Sequence, residues 1–290
     1  MTEIVFRNSD DAQKFYDHLQ KCVTEMPDNQ AILLFEDQHI VKIGASSPIN
    51  FLDQAKNAFV EFITTVMRDE WLKAILIKQY FYRDPLEQQQ ILEIIYSILD
   101  GEREDLATFL GKAYDKAKIQ EEVDQIFQNQ LSFSFDSFIK FRLRHYREEL
   151  ENYVKLAIDE YKMEQEYQMF VQTLREFLKG REPMIRILHL LIGEEISFYN
   201  ESFQKIKRGE LAEMIDRRLL VNHPVYVDSA SIAPLLSIAP AEIFLYTTDP
   251  EKPLIRTIKN IFEERVSIRP FQALGEKITW IGTKQPDKGA

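Results

Sequence analysis

The run Phe138-Ile139-Lys140-Phe141-Arg142-Leu143-Arg144-His145-Tyr146-Arg147 holds four permanent cations and a histidine with no acid, in a chain of net charge −11. Guanidinium forks donate hydrogen bonds in pairs to carboxylates and phosphates. A helical face carrying several of them can dock a phosphorylated ligand, a nucleic acid or an acidic protein surface. On a helix, Lys140, Arg144 and Arg147 share one face by i, i+4, i+7 spacing, and Arg142 and His145 fall with Glu149 on the adjacent stripe. These five residues, Lys140, Arg142, Arg144, His145 and Arg147, are the candidate binding set. Glu148, Glu149 and Glu151 follow at once. A basic run followed by acids is more commonly a solvated helix flank paired with its neighbours. His145 on its own is expected to hydrogen-bond Glu149 rather than act as a base.

Other chemistries leave no motif. The nine glycines lie at least seven residues apart, so neither a phosphate-cradling loop nor a dinucleotide fingerprint is present. His18, His39, His145, His189 and His223 are scattered, with no pair of histidines one helical turn apart. Cys22 is the single cysteine, which excludes an intrachain disulfide and a cysteine-rich zinc site. No Gly-x-Ser-x-Gly occurs. The carboxylates around Tyr161–Tyr167 lack the Glu-x-x-His partners of a helical-bundle metal site, so a solvated acidic face is expected there. These observations predict no metal, no cofactor and no motif-borne catalytic residue.

The elements that must position the basic run are mostly helical. Residues 1–46 read β-α-β-β: a strand at Glu3–Arg7, a helix capped by Asn8 or Ser9 with Phe15, Leu19 and Val23 on one face, and a hairpin of Ala31–Phe35 and His39–Ile43 turned at Glu36–Gln38. Residues 47–180 read as a helical domain. Ser47-Pro48 starts its first helix, and Leu52, Ala55, Phe59, Phe62 and Val66 form an apolar stripe. A second helix starts near Asp69. Asp84-Pro85-Leu86-Glu87 is a capping box with proline at the first helical position, and Asp100-Gly101 ends that helix. A further helix covers roughly Glu104–Phe127. From Asp136 to Lys179 the helical pattern continues unbroken for about 66 Å, which predicts a bend near Lys162–Gln168. Gly180 caps its end.

Residues 181–290 read as an α/β domain. Ile185–Ile192 and Ile196–Ile206 suggest a hairpin, with His189 as a core histidine, and Glu210–Leu220 and Ser231–Ala239 suggest helices. Glu242–Thr247, a helix opened by Asp249-Pro250 and ending at Arg265, and Val266–Arg269 form a βαβ unit. The fold class is therefore α+β, with a large helical middle; whether the two terminal parts share one sheet, making the middle an insertion, is left open by the sequence. Apolar residues at 45% and 20 phenylalanines supply a core. No third of the chain carries excess positive charge, against the usual footprint of a nucleic-acid binder. The longest uncharged stretch, Ser229–Ala241, is too short to span a bilayer and contains two prolines. The acidic N-terminal residues do not read as a secretory signal. A cytoplasmic protein is expected.

The run Phe138–Tyr146, followed by Ala157–Tyr161 and Glu166-Tyr167, resembles the YtxC-like family, which is labelled by association with sporulation in endospore-forming bacteria. Asp228–Ile232, Ala239–Ile243 and Ile261–Val266 support the likeness, which extends along essentially the whole chain. The resemblance implies a sporulation setting and no assigned reaction, cofactor or catalytic residue. A non-enzymatic protein acting through protein–protein contacts with an unknown partner is the leading expectation. A nucleic-acid-associated factor using the basic face around residues 140–147, and an enzyme holding a phosphorylated substrate with Arg142 and His145, stay open beside it.

Overall fold

A computed structural model of the chain describes residues 2–22, 32–35, 39–44, 49–110, 116–128, 132–216 and 231–275. It has an α+β fold, and the chain divides into two compact units, Met1–Met163 and Glu164–Ala290.

In the first unit, β1 (Thr2–Val5), β2 (Ile32–Phe35), β3 (Ile40–Ile43) and the two-residue β4 (Phe133–Ser134) form a sheet in the order β2-β3-β1-β4. β1 runs antiparallel to β3 and parallel to β4. Asn8 caps α1 (Ser9–Cys22), its Oδ1 accepting from the Asp11 N–H at 2.8 Å. Ala12, Phe15 and Leu19 are the buried face of α1. The helical middle begins with α2 (Ile49–Phe62), passes through a π-helical turn at Ile63–Met67 and continues as α3 (Arg68–Lys78). The apolar stripe read from Phe59 to Val66 thus stays on one continuous helical path, and the expected new start near Asp69 is a change of hydrogen-bond pattern instead. Asp84 caps α4 (Pro85–Leu99), accepting from the N–H groups of Leu86 and Glu87 at 2.8 and 3.1 Å. Gly101 takes the left-handed conformation that ends this helix. α5 (Glu104–Ala107) and α6 (Lys116–Gln128) stand where one longer helix was expected.

Phenylalanine dominates this unit's core. Phe59 has no exposed surface, and the rings of Phe15, Phe127, Phe133, Phe135 and Phe138 all lie within 6.1 Å of its centroid. These residues come from α1, α6, β4 and α7 (Phe135–Phe141), so one aromatic cluster ties the sheet to the helices. Ser134 caps α7 by accepting from the Ser137 N–H at 3.3 Å.

α7 stops at Phe141, and α8 (Arg144–Leu178) begins after the two intervening residues Arg142 and Leu143. The break in the long helical stretch therefore falls inside the basic run, and Lys162–Gln168 is continuous helix. Burial accounts for both departures. Phe138, Ile139, Leu143 and Tyr146 are all buried, and a step at Arg142-Leu143 turns all four inward. The Leu143 N–H reaches the Phe138 carbonyl at 3.3 Å, a widened turn, and the Leu143 carbonyl accepts the Arg147 N–H that opens α8. Downstream, α8 contributes Leu150, Val154 and Ala157 to the core of the first unit and Val171, Leu174 and Leu178 to that of the second. A helix serving two cores is not limited by the size of either one, which removes the reason for a bend. Gly180, with positive φ, closes α8 as expected.

The second unit is built on a sheet of order β6-β5-β7-β8, from β5 (Ile187–Ile192), β6 (Ile196–Tyr199), β7 (Glu242–Thr247) and β8 (Val266–Pro270). β5 and β6 are the expected hairpin, and β7 pairs parallel with both β5 and β8. α9 (Arg208–Met214) and α10 (Ile232–Ile238) precede β7, and α11 (Pro253–Phe262) links β7 to β8. α11 starts at Pro253 rather than at Asp249-Pro250, because Asp249 instead accepts from the Glu251 N–H at 3.0 Å in a local turn. Its apolar face, Ile255, Ile258, Ile261 and Phe262, is buried with Leu188, Leu190, Ile243 and Leu245 of the sheet. The N-terminal and C-terminal strands lie in two different sheets, which decides the question that the sequence leaves open. Ser47-Pro48, the hairpin turn at Glu36–Gln38, Val23 and the end of the Glu210–Leu220 helix lie outside the described residues.

Candidate functional site

The step between α7 and α8 sorts the five basic-run residues into two groups. Lys140, Arg144 and Arg147 line an open groove of about 500 Å³ together with Phe141, Glu148 and Glu151. Phe141 is 72% exposed, a large apolar ring left on the surface by a helix whose other phenylalanines are buried. The Lys140 ammonium sits 5.6 Å from the Phe141 ring centroid, and the Arg147 guanidinium 5.8 Å from that of Trp71, both within cation–π range. Arg144 donates from Nε to Glu148 at 2.8 Å. Lys140 is on the last turn of α7 and Arg144 on the first of α8, so their meeting in one groove does not come from the i, i+4 rule of a single helix.

Arg142 and His145 are not part of that lining. Arg142 donates to Glu122 at 3.2 Å and to Gln125 at 3.4 Å, both on α6. His145 is 82% exposed and lies 3.3 Å from the Glu148 carboxylate, which replaces the expected Glu149 as its partner. Glu148 stands between Arg144 and His145, and the Arg144 guanidinium, with the His145 ring in support, holds its carboxyl below the usual range. An enclosed pocket joining Arg142 to His145, the arrangement that substrate binding by that pair requires, is not formed by these contacts.

His189 is the buried core histidine that was expected. It is 4% exposed, its Nδ1 lies 3.1 Å from the Tyr246 hydroxyl, and Phe203 and Phe244 stack on its ring. Burial pushes the Tyr246 phenol up. Of the acids near Tyr161, Glu160 is paired with Arg103 at 2.7 Å, while Glu164 and Glu166 are exposed.

Sequence reasoning missed a second group. His18 and Cys22, one turn apart near the end of α1, meet Glu61 from the last turn of α2, and one ligand atom from each lies within 4.8 Å of the others. The Cys22 sulfur is 3.5 Å from His18 Nε2 and 3.9 Å from Glu61 Oε2. Burial and the Glu61 carboxylate push the Cys22 thiol up. The His-x-x-x-Cys spacing is visible in the chain, but a search for paired histidines passes over it.

The chain matches the profile of the YtxC-like family over residues 53–267. It belongs to that family. It is also 36% identical over 274 residues to a Bacillus subtilis (strain 168) protein named "Uncharacterized protein YtxC", covering 94% of this chain and 95% of that one. No solved structure matches it. The family match takes in the groove and Glu61 of this YtxC-like chain, while His18 and Cys22 precede it. No helix among the described residues is long and apolar enough to cross a membrane.

Proposed function

We propose that this YtxC-like chain acts in the cytoplasm of sporulating cells through non-enzymatic protein contacts, with the Lys140–Phe141–Arg144–Arg147 groove as its docking face. The observation that carries this reading is Phe141, an exposed aromatic ring that lines a groove with five charged side chains. An apolar anchor inside a polar rim is the usual anatomy of a protein interface. The signs around the rim are mixed, since Glu148 and Glu151 face the same groove as the three cations. A partner segment that offers an apolar side chain to Phe141 and an acid to Lys140 or Arg147 meets these charges one by one. A nucleic-acid backbone, negative throughout, meets two carboxylates there as well as the cations, which favours a protein partner.

The test is affinity capture from nuclease-treated lysates of sporulating cells, comparing the wild type with Phe141→Ser and with Lys140, Arg144 and Arg147 all changed to Ala. Loss of the same partner from both variants, with helix content and melting temperature retained, supports the docking face. Recovery of the same partners from all three proteins refutes it. Retention that depends on omitting nuclease and falls steeply with salt identifies a nucleic-acid factor instead.

A further inference from the structure

We infer that His18, Cys22 and Glu61 form a binding site for a thiophilic divalent cation of the Zn²⁺ class, which links the end of α1 to the end of α2. The three groups are the ligand types that zinc takes, with bond lengths of about 2.3 Å to sulfur and about 2.0–2.2 Å to nitrogen and oxygen. Tetrahedral angles at those lengths place sulfur about 3.5 Å from nitrogen and about 3.6 Å from oxygen. The separations of 3.5 Å from Cys22 Sγ to His18 Nε2 and 3.9 Å from Cys22 Sγ to Glu61 Oε2 need only rotamer-scale adjustment to meet this. The cation would take its fourth ligand from water, because Glu61 is exposed to solvent.

The surroundings suit such a site. His18 packs its ring 5.9 Å from that of Phe62, which is fully buried, so one wall is dry and orients the imidazole. Glu61 has no ion-pair partner among the described residues. Two residues beyond Glu61 the helix widens into the π-turn Ile63–Met67, a feature that often accompanies functional sites. The Thr65 hydroxyl donates to the Glu61 carbonyl at 2.7 Å, securing the backbone at that position. A thiolate with an imidazole selects zinc over the hard, oxygen-seeking magnesium and calcium ions. None of these residues lines the groove assigned to docking, so the two readings stand or fall separately.

Co²⁺ titration of the metal-free full chain tests the inference, with Co²⁺ as the spectroscopic probe and Zn²⁺ as the competitor. A thiolate-to-cobalt charge-transfer band that saturates at one equivalent and is displaced by Zn²⁺ is expected. Cys22→Ser should abolish the band. His18→Ala and Glu61→Gln should each weaken binding about tenfold or more, since loss even of groups that merely support a ligand has about that effect. Because Cys22 is the only cysteine, alkylation gives a second readout, and Zn²⁺ should slow it in the wild type but much less in Glu61→Gln. All three side chains are at least partly accessible, and unchanged circular dichroism verifies that the variants fold. Absence of the thiolate band at saturating Co²⁺, or wild-type affinity in both His18→Ala and Glu61→Gln, overturns the site.

Discussion

Changing Phe59 to alanine tests the placement of the aromatic cluster that supports α7 and hence the groove. Its side chain has no exposed surface and five phenylalanine rings lie within 6.1 Å. Truncating a buried phenylalanine costs about 3–5 kcal/mol, and the cost rises when the cavity cannot collapse. Five stiff rings from four separate elements collapse poorly, so the expected loss lies near the upper end, about 4–5 kcal/mol. With an m-value of about 2 kcal/mol/M in urea, this moves the unfolding midpoint down by about 2 M. Phe59→Leu keeps most of the volume and should lose about 1–2 kcal/mol. The chain has two tryptophans, so a Trp280→Phe background leaves Trp71 as the sole reporter, and it packs edge-on to Tyr146 within the first unit. Urea melts followed by Trp71 fluorescence make the measurement. A midpoint shift below about 0.5 M for Phe59→Ala would mean that the rings do not converge on Phe59, and the positioning of α7 derived from them would fail with it.

Further outcomes follow from single features. Asp84→Ala removes the acceptor for two N–H groups at the start of α4 and should cost about 1 kcal/mol in a thermal melt, whereas Asp84→Asn should cost less. Burial holds the Tyr146 phenol well above the ordinary tyrosine range, with Arg68 opposing, so the folded state keeps a proton that the unfolded state releases near pH 10. Its contribution is complete below about pH 10 and is lost as pH rises towards the folded value; melting temperatures from about pH 8 to 11 should fall less steeply in Tyr146→Phe. Gln165→Gly, in an exposed stretch of α8, should cost about 1 kcal/mol by helix propensity alone, and a near-zero effect in a chemical melt would place a break there after all. Lys140→Glu should abolish capture of the partner that Arg142→Glu retains, because only Lys140 lines the groove.

Signals confined to a few neighbouring residues are legible in the amino-acid sequence itself. Asp84-Pro85 starts α4, Asn8 starts α1, Gly101 and Gly180 end helices, and Glu242–Thr247 is a strand with the bounds that its apolar run suggests. Each depends on backbone chemistry within a turn or a strand. The step at Arg142-Leu143 has no such signal, since neither glycine nor proline is near. It arises because Phe138, Ile139, Leu143 and Tyr146 all reach one core, a demand made by other elements. β4 is hidden for the same reason: two residues become a strand only because β1 lies alongside. The predicted bend in α8 fails through a wrong premise, that one core must hold the whole helix.

The two sites show the same limit from opposite sides. Helical spacing predicts that Lys140, Arg144 and Arg147 share a face, and they do share a groove, but the single helix on which that spacing depends is interrupted between Lys140 and Arg144. The step carries Arg142 towards Glu122 and leaves Phe141 in the groove, so the feature that makes the face resemble a binding surface is an exposed ring, not the density of charge. For His18 and Cys22 the local spacing is sound and on one helix, yet the third group is 39 residues further on and arrives only through the packing of α1 on α2. A pair of ligand types one turn apart is common in any helix. It acquires chemical meaning here because Glu61, held beside the π-turn, brings a carboxylate to within 3.9 Å of the thiol.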